Sequence, residues 1–226
     1  LQGRENLPDH LAELCQTFDA LHVGWETQWW SHERICDELD LRAAKQVYLD
    51  AELHVPPDAV MQLRADIARY AILRQYGGVT LDTDYRFFKP IDELLPGAAV
   101  VMAHEVDGGW IANGFMAANA KHTLHTRLLD GIPANAEALA GKGLRANTYT
   151  GPKYLTPLLR GMGERADVRI LPSRLFHGVP WNKPELADKY DRRGPRDAYA
   201  VHYWAHQRGI RQGGKWKTWD PENGAA

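Results

Sequence analysis

With 226 residues, 44% hydrophobic and 25% charged, the chain has the composition of an ordinary globular domain, which excludes disordered and fibrous architectures. A formal net charge of −2, from 27 basic and 29 acidic residues, supplies no field for drawing in nucleic acid or an anionic membrane. Cys15 and Cys36 are too few for a disulfide framework and sit in no zinc-ligand spacing, which favours a reducing compartment.

No apolar run reaches the roughly 18 residues of a membrane span, so no integral membrane segment is expected, and a cytoplasmic setting, a bacterial cytosol, follows. The sequence opens on Leu1 rather than Met, which leaves room for upstream residues. Residues 1–226 are expected to form a single domain.

In chain order, Leu11, Leu14, Phe18 and Leu21 recur at helical spacing and predict an amphipathic helix to about residue 22. An aromatic strand is expected over 25–30, with Trp25, Trp29 and Trp30 in packing roles, and one or two short helices over 37–53. Pro56 and Pro57 announce a helix over 58–76, whose apolar stripe is Val60, Leu63, Ile67 and Tyr70 and whose stop is Gly77-Gly78. A short buried strand over 79–81 then runs into Asp82-Thr83-Asp84.

Strands are expected over 98–103 and 111–117, joined by the turn-prone Asp107-Gly108-Gly109. Helices follow over 121–129 and 154–159, then strands near 168–171 and 199–204, with a long Pro- and Gly-rich loop over 172–195 between them. The alternation is that of an α/β fold.

The chemistry concentrates in residues 64–84. Side chains alternate along a strand, so Asp82 and Asp84 face one site if strand geometry persists to its end. Two adjacent carboxylates repel each other and invite a divalent cation, and oxygen ligands suit Mg²⁺ or Mn²⁺ bound to a diphosphate. On the preceding helix Asp66 and Arg69, three residues apart, share a face beside the apolar stripe and converge on a polar ligand.

That segment resembles the signature of glycosyltransferases with a DXD-containing sugar-binding region. The group includes yeast-type initiating mannosyltransferases, bacterial capsule and lipopolysaccharide sugar transferases, and the catalytic domains of clostridial glucosylating toxins. The resemblance implies a GT-A fold, an α/β nucleotide-sugar transferase architecture, and transfer of a hexose from a UDP- or GDP-sugar to a glycan hydroxyl with retention of configuration. It gives Asp82 and Asp84 the metal, Mn²⁺ or Mg²⁺, with Asp84 binding directly and Asp82 touching ribose or metal-bound water. Asp66 and Arg69 match the positions that hold the donor sugar hydroxyls and the diphosphate side.

Further along, Asn113 and Gly114 in an apolar strand resemble the segment lining the acceptor side, where Asn113 either bonds a sugar hydroxyl or simply makes a turn. His202 and Trp204 resemble a terminal element closing over metal and diphosphate, with His202 completing the coordination through a neutral imidazole. His104, with Glu105 after it, ends a strand either at the acceptor cleft or as a plain polar terminus.

Two departures stand out. The chain continues as His206-Gln207-Arg208 where the family has a small residue, Ser and Trp, leaving Arg208, Arg211 and Lys215 as phosphate contacts. The family's first strand, which stacks on the nucleotide base, is not in this sequence. Two other readings of the paired aspartates are a metal-dependent phosphohydrolase and a non-catalytic or degenerate sugar-nucleotide-binding domain.

Overall fold

A computed structural model describes residues 7–190, 193–205, 210–212 and 215–217. Helix α1 (Asp9–Leu21) is followed by α2 (His32–Glu38), a 3₁₀ turn over Arg42–Ala44, α3 (Lys45–Leu49), α4 (Ala51–His54) and the long α5 (Val60–Gln75). Next come β1 (Gly78–Leu81), β2 (Tyr85–Phe87), β3 (Val100–His104) and β4 (Ile111–Ala118). Helices α6 (Thr123–Leu139), α7 (Ala146–Tyr149) and α8 (Pro152–Gly161) precede β5 (Val168–Leu171) and β6 (Ala200–His202). The strands β7 (Ile210–Gln212) and β8 (Lys215–Lys217) pair antiparallel.

The main sheet has the order β1-β4-β3-β5 and is mixed, since β4 is antiparallel to both neighbours whereas β3 and β5 are parallel. Strand alternation divides its side chains between two cores. Val100, Met102, Met116 and Ala118 join Leu63, Ile67 and Tyr70 of α5 and Leu124, Leu128 and Ile132 of α6. Val101, Ala103, Phe115 and Ala117 join Tyr85, Phe87, Phe176 and Ala200 on the other face, where Phe18 and Leu21 of α1 also pack. Complete burial of Leu63 and Ile67 contributes about 1.5 to 3 kcal/mol each, which anchors α5 and so fixes where the chain leaves it.

Three sequence expectations are corrected. Residues 25–30 are not a strand; they cross the surface held by side chains, with the Trp25 indole N–H donating to Asp92 at 3.0 Å and the Arg34 guanidinium over Trp30 at 4.1 Å. Helix α6 runs well past residue 129 and through Pro133, because Ile132 and Ala136 continue its buried stripe. Strand β1 ends at Leu81, and residues 83–84 form a turn, so strand geometry does not reach Asp84. The described residues of the expected loop over 172–195 hold no long helix or strand and include 3₁₀ turns at Ser173–Leu175 and Pro184–Tyr190. No helix among the described residues is long and apolar enough to cross a membrane.

Candidate functional site

The site lies where α5, the end of β1, the middle of β4 and the end of β6 meet. Gly77, at φ +71°, ends α5, and a Cβ there would sit 2.7 Å from the Ala120 nitrogen, so the tight exit into β1 requires glycine. Strand β1 then delivers Asp82 beside α5, where its Oδ1 accepts from Arg69 Nη2 at 2.5 Å.

Asp84 reaches the same place by the turn. Its Oδ2 accepts from the Ala205 amide at 2.8 Å, and its carbonyl accepts from the Tyr203 amide at 2.9 Å. Its Oδ1 lies 2.8 Å from His202 Nε2, which is also 3.8 Å from Asp82 Oδ2. Ligand atoms of Asp82, Asp84 and His202 all fall within 4.8 Å of one another. The two carboxylates therefore converge, through a turn and an imidazole rather than through strand alternation.

Burial works against a charged His202 imidazole, but the carboxylates of Asp84, Asp82 and Glu105 together outweigh it, and its pKa is raised. Two carboxylate oxygens and an imidazole nitrogen fit a divalent cation such as Mg²⁺ or Mn²⁺, with Arg69 offsetting part of the negative charge. Nδ1 of His202 is buried with no hydrogen-bond partner among the described residues.

Strand β4 bends into this centre through an irregularity. Met102 pairs with Met116 but Ala103 pairs with Ala112, so Asn113, Gly114 and Phe115 oppose no residue of β3. The bulge turns the Asn113 carbonyl to Arg69 Nη1 and the Gly114 carbonyl to the Asp82 amide. A Cβ on Gly114 would lie 2.6 Å from Asp82 Oδ2 and 3.0 Å from the Tyr85 hydroxyl, so the missing side chain makes the cradle for the carboxylate.

Asp66 sits one layer behind. It is 2% exposed; Oδ1 accepts from Asn113 Nδ2 and Oδ2 from the Thr150 hydroxyl, both at 2.8 Å. Its closest approach to Arg69 is 3.9 Å. Burial pushes its pKa up to about 7, against the pull of Arg69. Burial lowers and Asp82 raises the Arg69 pKa, which ends raised, so this guanidinium is a permanent cation.

Tyr85, His177, Tyr70 and Thr150 belong to the site although sequence reasoning did not select them. Burial lowers the His177 pKa to about 3, so the ring is neutral; its Nδ1 donates to the His104 carbonyl at 3.0 Å. Its Nε2 therefore accepts from the Tyr85 hydroxyl, 2.5 Å away. The Tyr85 ring in turn stacks on His202 at 4.3 Å. Tyr85 directly follows Asp84, and His177 lies in the long loop already marked by its length; those were the only signals.

Trp204 is 7% exposed, adopts φ +53°, donates its indole N–H to Val179 at 2.9 Å and packs on the His202 ring. His104 is partly buried at the end of β3. Arg208 lies outside the described residues, and only the backbone is described at Arg211 and Lys215.

The structure thus defines an α/β protein with a candidate cation centre of two aspartates and a histidine at the end of an edge strand. Residues 8–101 match the family model described as glycosyltransferase sugar-binding region containing DXD motif. It is 29% identical over 181 residues to Inositol phosphoceramide mannosyltransferase 1 of Schizosaccharomyces pombe, covering 78% of this chain and 55% of that protein. An uncharacterized glycosyltransferase, L373, of Acanthamoeba polyphaga mimivirus is 32% identical over 95 residues, 42% of this chain and 36% of the relative. Inositol phosphoceramide mannosyltransferase 3 of the same yeast is 27% identical, covering 63% of this chain and 42% of its own length. The chain spans about half the length, or less, of these relatives. A solved structure titled PaToxG Glycosyltransferase gives a TM-score of 0.41 at 19% identity over 53% of this chain and 38% of that one, a likeness too loose to argue from.

Proposed function

We propose that the chain is a metal-dependent, GT-A-like glycosyltransferase domain that moves a hexosyl group from a UDP- or GDP-sugar to a hydroxyl acceptor with retention of configuration. The observation that carries it is the convergence of Asp82 and Asp84, from the region that the family model matches, with His202 from β6 beside Arg69. A mannosyl donor is the first to try, because two relatives are named mannosyltransferases.

Held by Asp82, Asp84 and His202, Mn²⁺ or Mg²⁺ would offset the negative charge of the leaving diphosphate. Arg69 supplies a second, fixed positive charge at the same end of the donor, already oriented by Asp82 and the Asn113 carbonyl. Asp66 and Asn113 form the polar wall for the sugar hydroxyls, Asp66 acting by fixing the Asn113 amide. Trp204 packs on the His202 ring and steadies it at the cation centre.

In the retaining reaction the bond from the anomeric carbon to the diphosphate oxygen breaks. The acceptor oxygen bonds to that carbon on the same face, and the acceptor proton passes to the departing phosphate. No protein carboxylate is required as nucleophile.

The test is turnover of UDP- and GDP-hexoses by the chain with Mn²⁺, Mg²⁺ or EDTA, in wild type and Arg69→Lys. Metal-dependent sugar release from one donor, reduced about a hundredfold or more in the variant, supports the reading. Phosphate release from simple phosphate esters without sugar transfer would replace it by a phosphohydrolase, and donor binding without turnover by a binding domain.

A further inference from the structure

The hairpin joining β3 to β4 has a face that the site described above does not use. The Glu105 amide donates to the Trp110 carbonyl at 2.8 Å, which continues the ladder one step beyond the His104–Ile111 pair. Glu105 and Trp110 are therefore opposite one another with side chains on one face. By alternation that is the face of Ala103, in the core shared by Tyr85, Phe115 and Phe176, on the side of the sheet where the Tyr85–His177–His202 stack lies.

The hairpin is held from several directions. Arg160 donates to the Gly108 and Gly109 carbonyls at 3.1 and 2.8 Å. Asp107 accepts from the Ser173 amide at 2.6 Å, and the Ile111 amide donates to the Thr156 hydroxyl at 2.8 Å. Against this anchoring, two side chains have nothing to hold. Glu105 is partly buried and makes no side-chain hydrogen bond or ion pair among the described residues, and Trp110, 42% exposed, makes no ring contact or indole hydrogen bond among them.

Glu105 is electrostatically coupled to the centre from both sides. Burial raises its pKa while His202 and Lys153 lower it, and its charge in turn raises those of His202 and Tyr85. A carboxylate with no protein partner keeps its acceptor oxygens open to hydroxyl donors of a ligand. An exposed indole on the same rigid face offers a flat apolar surface, the pairing with which proteins grip the two aspects of a sugar ring, its hydroxyls and its C–H face.

We propose that Glu105 and Trp110 form the acceptor subsite, Glu105 accepting hydrogen bonds from hydroxyls of an acceptor sugar whose ring lies against Trp110. The inference rests on the transferase reading and adds to it the residues that choose acceptor over water. Neither residue touches the cation centre, so the subsite governs where the sugar goes rather than whether the donor is cleaved.

The experiment measures the ratio of sugar transfer to donor hydrolysis with methyl glycosides of mannose, glucose and galactose as acceptor probes. Wild type is compared with Glu105→Gln, Trp110→Ala and Trp110→Phe. Ligand-observed NMR of the same glycosides without donor reads binding directly. The expected result is a fall in the ratio and in glycoside binding of about tenfold or more for Glu105→Gln and Trp110→Ala, with Trp110→Phe restoring most of it.

A merely structural role would lower transfer and hydrolysis together and leave the ratio unchanged, which overturns the subsite. Glycoside binding that depends on both residues in a chain that cleaves no donor would uphold the subsite while sinking the transferase reading. Absence of both glycoside binding and transfer in wild type would overturn the two together.

Discussion

Gly114 shows how much one absent side chain decides. A Cβ there would press on Asp82 Oδ2, the end of a partly exposed side chain that Arg69 holds through its other oxygen, so Gly114→Ala should push the carboxylate off its position at modest cost to the fold. We expect Mn²⁺ affinity, measured by titration calorimetry, to fall about tenfold or more with melting lowered by only a few degrees; unchanged affinity would mean that Asp82 is not held by this cradle. Asp66 presents the opposite case, a buried carboxyl that ties together two buried partners. Asp66→Ala takes one bond from Asn113 Nδ2 and one from the Thr150 hydroxyl, which keep only the longer bonds to the Tyr70 hydroxyl and the Ala146 carbonyl, and should cost about 2 kcal/mol in urea unfolding. Asp66→Asn should cost much less, because a carboxyl with a pKa near 7 is already partly neutral. Equal costs would contradict the network. At this scale Asp66, Arg69 and Asp82 stood out by residue type and spacing and Asp84 by residue type alone, since a turn and not strand alternation brings it in, whereas His177 and Thr150 were not legible. Both are far from the aspartates in sequence, and only the folded chain brings them within hydrogen-bond range.

Among the elements, the segment from α5 through Gly77-Gly78 to β1 could be read from the sequence because every signal in it is local: an apolar stripe, a glycine stop, a short apolar strand. Its two glycines do different work. Gly77 combines a positive φ with backbone atoms 2.7 and 2.9 Å from where an alanine methyl would sit, whereas Gly78, at φ +90°, has nothing within 4 Å of the equivalent point. Gly77→Ala should therefore cost about 3 kcal/mol and Gly78→Ala about 1 kcal/mol, the strain alone, in denaturant melts; a reversed order would contradict the close approach to residues 118–120. The bulge of β4 had no local signal beyond Asn113-Gly114, since an irregular register is a property of two strands together. The same holds for residues 25–30, where an aromatic-rich run suggests a strand yet no neighbour pairs with it and side-chain anchors take over. Trp204, at φ +53° between His202 and Ala205, carries backbone strain beside the site, and the two bonds that Tyr203 and Ala205 give to Asp84 hold that turn in place.

For the whole molecule, the core on the α5 and α6 side contains a group that makes stability depend on pH. His125 is fully buried, neither ring nitrogen has a partner among the described residues, and burial lowers its pKa to about 3. The unfolded chain titrates near 6.5, so between 6.5 and 3 it binds a proton that the folded chain refuses, and stability falls as pH drops. His125 alone should remove about 2 kcal/mol between pH 7 and pH 5, and His125→Leu should lose that part of the acid slope; parallel slopes would contradict it. Function at this scale depends on two distant segments, α5 with β1 and β6 with the turn after it, closing on one cation. The most direct measurement is Mn²⁺-dependent binding of GDP- and UDP-hexoses by titration calorimetry, wild type against Asp84→Asn. The account requires that one donor bind only with the metal and that the variant lose this binding by about a hundredfold or more while remaining folded. Binding that is indifferent to metal, or equal in the two proteins, would contradict it.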